Sequence, residues 1–283
     1  MMSDFSSWIG RTETRDDRVE ASAHARWLAT LDRAAPEGEA VAQGYHWALC
    51  TPDAATTALG PDGHPRRDDS PASFLPPIPQ PRRMWAASKV EFVAPLRVGQ
   101  SAERRSKILS ITAKQGGSGP LVFVEVQHET FGNDALAVRE VQSLVYRDAA
   151  PAGSPPVPPP LGEARFETTG WDMHRSIVPS EQLLFRFSAL TFNSHRIHYD
   201  LAYATGEEGF RGLVVHGPLT ATLLLDLARR KLGENALRNF AFRGVSPAIC
   251  GEMLHLVLRS KSAAWELGAY AADGRQVMSA SAS

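Results

Sequence analysis

Asn193, His195, His198, Asp200 and His216 bring three of the chain's nine histidines together with an amide and a carboxylate between positions 193 and 216. An imidazole titrates near neutral pH, so His198 and its neighbours are candidates for general acid–base work. His216-Gly217-Pro218 then leads into an apolar run ending at Arg229-Arg230-Lys231, with Gly233 beyond it. Proline at the start, basic residues in the last turn and glycine past the end predict a helix over 217–231. Its first-turn N–H groups and positive end suit an oxygen that gains negative charge, and Gly217 would let a ligand come close to the main chain. A metal is the rival chemistry, with nitrogens from His195, His198 and His216 and an oxygen from Asp200. The spacing lacks the paired histidines of a zincin helix and no cysteine takes part, so no metal is expected.

The elements that must hold these groups are partly legible. Ala21 to Leu31 reads as a helix, with Trp27, Leu28 and Leu31 on one face. Tyr45 to Leu49 is a short strand or a buried helical turn. Thr51 to Arg83 is dense in Pro, Gly, Asp and Arg and reads as a long ordered loop, packed down by Phe74, Leu75 and Ile78. Alternation and β-branched residues predict strands at 90–92, 107–112, 121–129 and 139–146, with a Gly-rich turn at 115–120. After a proline-rich stretch at 149–162, Ser180 is a candidate N-cap. The buried helix at 217–231 follows, then strands at 239–244, 254–260 and 264–270, with an Asp273-Gly274 turn into 276–280.

This order suggests two copies of one α+β unit, the first degenerate: an N-terminal domain at 1–148, a linker at 149–162 and a C-terminal domain at 163–283. The chain has 283 residues, 43% hydrophobic and 22% charged, which allows a sizeable core without staples. A net charge of −1 gives no general attraction to nucleic acid or to an acidic membrane. Cys50 and Cys250 have no metal or redox spacing and are expected as buried thiols. The first residues carry no basic and apolar leader and no window could span a bilayer, so a cytoplasmic protein is expected. Dinucleotide, P-loop and serine-elbow motifs are absent, and no separate cofactor is expected.

The phrases TFNSHRIHYD and GLVVHGP, with GPDGHPRR…FLPPIPQPRRMWA and SGPLVFVEVQHE, resemble the MaoC-like hydratases and dehydratases. The likeness is to a branch with two fused hot-dog domains that includes mesaconyl-C4-CoA and itaconyl-CoA hydratases and 3-hydroxyacyl-thioester dehydratases. The resemblance implies an antiparallel sheet wrapped around one long helix, and a hydro-lyase acting on a short dicarboxylic enoyl-CoA. Coenzyme A would come as part of the substrate, and the protein would be a monomeric pseudo-dimer or a homodimer. His198 would be the acid–base group, and Gly217 would offer the oxyanion N–H. Asn193 stands where the wider family has aspartate, and an amide cannot take a proton. Either Asn193 orients the water or the imidazole, or Asp200 supplies the carboxylate. His195 and His216 are further site candidates, although His216 could instead hold the helix start. Arg82, Arg83 and Arg243 are candidates for the substrate carboxylate and the CoA phosphates, with Arg259 and Lys261 behind them. A thioesterase or a non-catalytic acyl-CoA binding module are the readings of another class.

Overall fold

The computed structural model describes residues 5–34, 38–116, 119–151 and 153–283. Ten strands form one antiparallel sheet: β1 (Thr12–Arg18), β2 (Arg82–Phe92), β3 (Ser101–Gly116), β4 (Gly119–Gly132), β5 (Ala135–Arg147), β6 (Met173–Ile177), β7 (Asn239–Gly244), β8 (Leu254–Lys261), β9 (Ala264–Ala271) and β10 (Gln276–Ala282). Their order across the sheet is β1-β3-β4-β5-β2-β7-β10-β9-β8-β6. Among the described residues four α-helices accompany these strands: α1 (Ala21–Thr30), α2 (Glu181–Leu190), α3 (Leu201–Gly206) and α4 (Gly217–Leu232). The class is therefore α+β, as expected. Among the described residues no helix is long and apolar enough to cross a membrane.

The strands form where the sequence alternates. Val122, Val124 and Val126 are buried at every second position of β4, the period that puts one face of a strand inward. Asn133 and Asp134 both take positive φ, 46° and 66°, in the tight turn between β4 and β5. Asp273-Gly274 turns β9 into β10 as predicted, with Gly274 N–H donating to Ala271 O at 3.0 Å. Gly117 and Ser118, in the middle of the expected 115–120 turn, lie outside the described residues.

The sheet order repeats itself. The series β1, β3, β4, β5, β2 from one edge matches β6, β8, β9, β10, β7 from the other, and the halves meet where β2 pairs with β7, from Ala87↔Arg243 to Glu91↔Asn239. Each half also opens with a strand and a ten-residue helix, β1–α1 and β6–α2. Among its described residues the first half has no counterpart of α4. Between α1 and β2 the described residues form short 3-10 turns at Tyr45–Ala48 and Thr56–Ala58. The proposed division at 149–162 rests on this repeat; the described residues of that stretch form no helix or strand, and it is tied to the second half by Val157 N–H to Gly209 O, 2.9 Å.

Helix α4 is the axis of the second half. Leu219, Leu223, Leu224 and Leu227 are at most 1% exposed, because the helix is apolar nearly all round and the sheet curves over it. Its one buried charge, Asp226, is 3% exposed and accepts from Arg175, Arg229 and Arg230 at 3.1, 2.9 and 2.8 Å. Helix α2 begins at the expected cap: Ser180 Oγ accepts from Leu183 N–H at 3.2 Å. Helices α1 and α2 meet through Trp27 and Phe187, whose ring centroids are 5.6 Å apart.

Two expectations need correction. The loop ends at residue 81, so Arg82 and Arg83 belong to β2, where successive side chains face opposite sides. Both thiols are free, but only Cys50 is fully buried; Cys250 is half-buried. The loop itself is packed down as expected, with Ile78, Phe74 and Leu75 against Ile108, Val122, Val124, Val126 and Tyr146.

Candidate active site

His198 closes a single 3-10 turn, Arg196–His198. Its Nδ1–H donates to the main-chain oxygen of Val214 at 2.7 Å. The chain around Val214 is itself fixed, because Val214 N–H donates to Ile197 O and Val215 N–H to Ala248 O, both at 2.9 Å. With Nδ1 carrying the proton, Nε2 keeps its lone pair. Burial, with the carbonyl contact only partly opposing it, pushes the pKa of His198 down to about 4. At neutral pH the ring is uncharged and held in one orientation.

His216 stacks on His198, with centroids 3.5 Å apart and planes 19° apart. Its Nε2 meets Ser188 Oγ at 2.8 Å, and its Nδ1 is buried without a hydrogen-bond partner. The ring does not cap α4, contrary to one expectation for it; the main-chain oxygen does, accepting from Thr220 N–H at 3.1 Å. Burial lowers its pKa well below the ordinary imidazole value. Beside it, a Cβ built on Gly217 would meet nothing within 4 Å, so the helix start faces open space.

Asn193 and Asp200 are separated by what they already hold. Asn193 Oδ1 accepts from His195 N–H at 3.0 Å, which commits its oxygen to the turn and leaves its amide N–H groups to donate. Phe192, just before it, takes φ 47° with its ring exposed, a strained conformation for a bulky residue. Asp200 caps α3 by accepting from Tyr203 N–H at 3.0 Å, and its other oxygen accepts from Arg196 Nη2 at 2.7 Å. These bonds hold the Asp200 carboxyl below its ordinary pKa. Asp200 therefore caps α3 and is paired with Arg196, which weighs against its standing in for the missing aspartate.

The loop of the first half supplies what sequence reasoning missed. Pro61-Asp62-Gly63-His64 docks directly on the 194–196 segment: Arg196 N–H donates to Asp62 O at 2.9 Å, Arg196 Nη1 to Pro61 O at 2.9 Å and Ser194 Oγ to Gly63 O at 2.5 Å. Gly63 has φ +87°, and a Cβ there would lie 1.9 Å from Ser194 O. Only glycine permits so close an approach. The docking lays His64 over His195 with centroids 4.1 Å apart, and His195 meets His198 edge-on at 5.5 Å. Asp62 holds His64 twice, from its N–H to Oδ1 and from Nδ1 to Oδ2, each at 3.1 Å. Burial alone would raise the Asp62 carboxyl, but the bonds from His64 outweigh it and set it at about 2. Burial, reinforced by His64 and His198, drives His195 down to about 2. The phrase GPDGH was visible in the sequence, and a histidine in a long Gly/Pro-rich loop was the available signal.

Asp62, His64 and His195 are also the group, among the described residues, whose donor atoms all lie within 4.8 Å of one another. Two rings stacked at this distance bring their nitrogens that close by themselves, and His64 Nδ1 is already turned to Asp62. Of the arginines, Arg82 pairs with Glu208, donates to Glu207 O at 2.7 Å and acts electrostatically on His195. Arg83 faces the other side of β2. Arg243 is exposed on the face of β7 opposite the buried Phe240 and Phe242. Arg259 and Lys261 both pair with Glu266, at 3.0 and 3.1 Å. The structure thus brings Arg82 to the histidine cluster and leaves the other four arginine and lysine candidates apart from it.

The family described as hydroxyacyl-thioester dehydratase type 2 matches residues 44–250. The chain is 41% identical to the mesaconyl-C(4)-CoA hydratase of Chloroflexus aurantiacus over 98% of its length and 96% of that protein. Among solved structures, a MaoC-like dehydratase from Phytophthora capsici superposes with a TM-score of 0.68 at 15% identity, covering 97% of this chain and 95% of the other. A Mycobacterium tuberculosis protein described as a double hot-dog fold does so with a TM-score of 0.58 at 15% identity, again over 97% and 95%.

Proposed function

This chain belongs to the hydroxyacyl-thioester dehydratase type 2 family, with the double hot-dog fold, and from that premise we propose that it is a hydro-lyase adding water reversibly to a short dicarboxylic enoyl-CoA, mesaconyl-C4-CoA first among them. The observation that carries the reading is His198, whose Nδ1–H is fixed on Val214 O while the ring stacks beside the start of α4.

In the hydration direction, His198 Nε2 takes a proton from water as its oxygen attacks the β-carbon. The electron pair of the double bond moves toward the thioester, whose oxygen gains charge. The N–H of Gly217, with the positive end of α4, stabilises that oxygen where the free space allows it to sit. The Asn193 amide donates to the incoming water and orients it. Arg82 supplies positive charge near the acyl end, and Arg83 and Arg243 remain proposals for the CoA phosphates. The acyl-CoA carries its own coenzyme, and no further cofactor enters the reaction. A monomer whose two halves mimic a dimer would suffice for this site, because both halves contribute to it.

The test is a panel of mesaconyl-C4-CoA, itaconyl-CoA and crotonyl-CoA, followed by the loss of enoyl absorbance. Hydration of at least one supports the reading. Folded protein that hydrates none refutes it, and release of free thiol would indicate a thioesterase instead.

A further inference from the structure

The site lacks a second proton carrier on its own segment. Asn193 cannot ionise, Asp200 is committed to α3 and Arg196, and His195 is held neutral by burial. Yet addition of water across a double bond needs two proton transfers, one from the water and one to the α-carbon. The structure assigns the second transfer to His64, a catalytic acid delivered by the loop of the first half and oriented by Asp62; this rests on the hydratase reading above.

Three observations carry the assignment. His64 is one ring away from His198, with His195 between them. Asp62 Oδ2 receives its Nδ1 at 3.1 Å, so the carboxylate fixes the ring and leaves Nε2 as the exchanging atom. The side chain is 28% exposed, which lets it trade protons with solvent, unlike the buried His198. The loop that brings it is held by three hydrogen bonds and by a glycine that no other residue could replace without moving Ser194. The charged and titratable groups around it are Asp62, His195, His198 and Arg82, with Asp62 also acting on Arg67.

The step balances. The water oxygen bonds to the β-carbon and one water proton goes to His198 Nε2. The π electrons pass to the thioester as an enolate, and its α-carbon then takes a proton from the His64 imidazolium at Nε2. His198 afterwards loses a proton and His64 regains one through solvent, which restores the starting state. In the dehydration direction His64 removes the α-proton and His198 protonates the departing hydroxyl.

Wild type, His64→Gln, Asp62→Asn and His198→Ala are compared with mesaconyl-C4-CoA. His64→Gln is expected to lower kcat roughly 10²–10⁴-fold with KM within a few-fold, and Asp62→Asn to lower kcat by a smaller factor. In D2O with the 3-hydroxyacyl product, His198→Ala should still exchange the α-hydrogen and His64→Gln should not, a separation that a merely structural histidine would not produce. Wild-type kcat or wild-type exchange in His64→Gln, beside an inactive His198→Ala, overturns the role of His64 alone. A wild type that hydrates no substrate overturns the hydratase reading beneath it. If His64→Gln fails to fold, Asp62→Asn decides, and unchanged kcat there overturns the proposal. Activity abolished by a chelator and restored by zinc would give Asp62, His64 and His195 to an ion and overturn it as well.

Discussion

The Nδ1 of His198 is bonded to the main-chain oxygen of Val214 at 2.7 Å, across sixteen residues of sequence. That bond gives a buried imidazole a defined tautomer. Val214 lies just before His216-Gly217, so the same short segment orients the proposed base and starts the helix proposed to receive the substrate oxygen.

Replacement of His198 by alanine should remove the base without removing the fold. We expect kcat to fall roughly 10²–10⁴-fold, measured by the loss of enoyl absorbance, with a melting temperature close to that of the wild type.

Asn193 gives a sharper comparison. Asn193→Ala loses both the acceptor for His195 N–H and the amide donor, whereas Asn193→Asp keeps the acceptor. Both should lose activity if the amide donor positions water, but only the alanine variant should also lose stability, by about 1 kcal/mol. Chemical denaturation and steady-state kinetics on the two variants separate these contributions.

Gly63→Ala tests the docking of the loop. The added methyl would collide with Ser194 O and must adopt φ +87°. The variant should remain folded, become more sensitive to proteolysis within residues 51–81 and lose most of its activity. A fully active Gly63→Ala would mean that the loop need not dock for turnover.

Acid should destabilise the protein through its buried histidines. The folded-state pKa of His198 is about 4, below the ordinary unfolded value of about 6.5. Between these values the unfolded chain binds more protons, so stability rises with pH and falls as pH drops. It is complete above about 6.5, and His198 alone removes about 1.4 kcal/mol per pH unit within that window. His195 and His216, both also lowered by burial, lie against it, so the measured slope, from denaturant melts at several pH values, should be at least that steep. A flat profile between pH 6.5 and 4 would contradict the buried neutral base.

Asp226→Ala should act on stability and not on binding. It leaves Arg175, Arg229 and Arg230 around an empty position on α4. Loss of a buried partner of this kind costs about 3 kcal/mol, read from the shift in denaturation midpoint, while KM for the enoyl-CoA should stay near its wild-type value.

The elements were largely written in local pattern. The apolar run after Gly217-Pro218 had to be a buried helix, and the alternation in β4 and in β8 to β10 had to be strands, because side-chain periodicity is a property of the chain itself. His198 and Gly217 could be named as candidates from one short stretch whose phrases carry the family resemblance, and the fold sets His198 against His216 at the start of α4. The arginines were read less well. Arg82 and Arg83 look like a pair in sequence, but a strand sends them to opposite faces, and Arg82 is taken up by Glu208.

What only the tertiary structure decided is which polar groups are free and which are spent. Asp200 reads as a spare carboxylate until Tyr203 N–H and Arg196 are seen to occupy it. Asp62 and His64 lie more than a hundred residues before His195, and nothing in local periodicity couples them to it. They arrive by the packing of an irregular loop, through main-chain contacts that a glycine alone permits. Sequence pattern records which face of an element is buried; it does not record where a loop without periodicity comes to rest, and here that resting place completes the site.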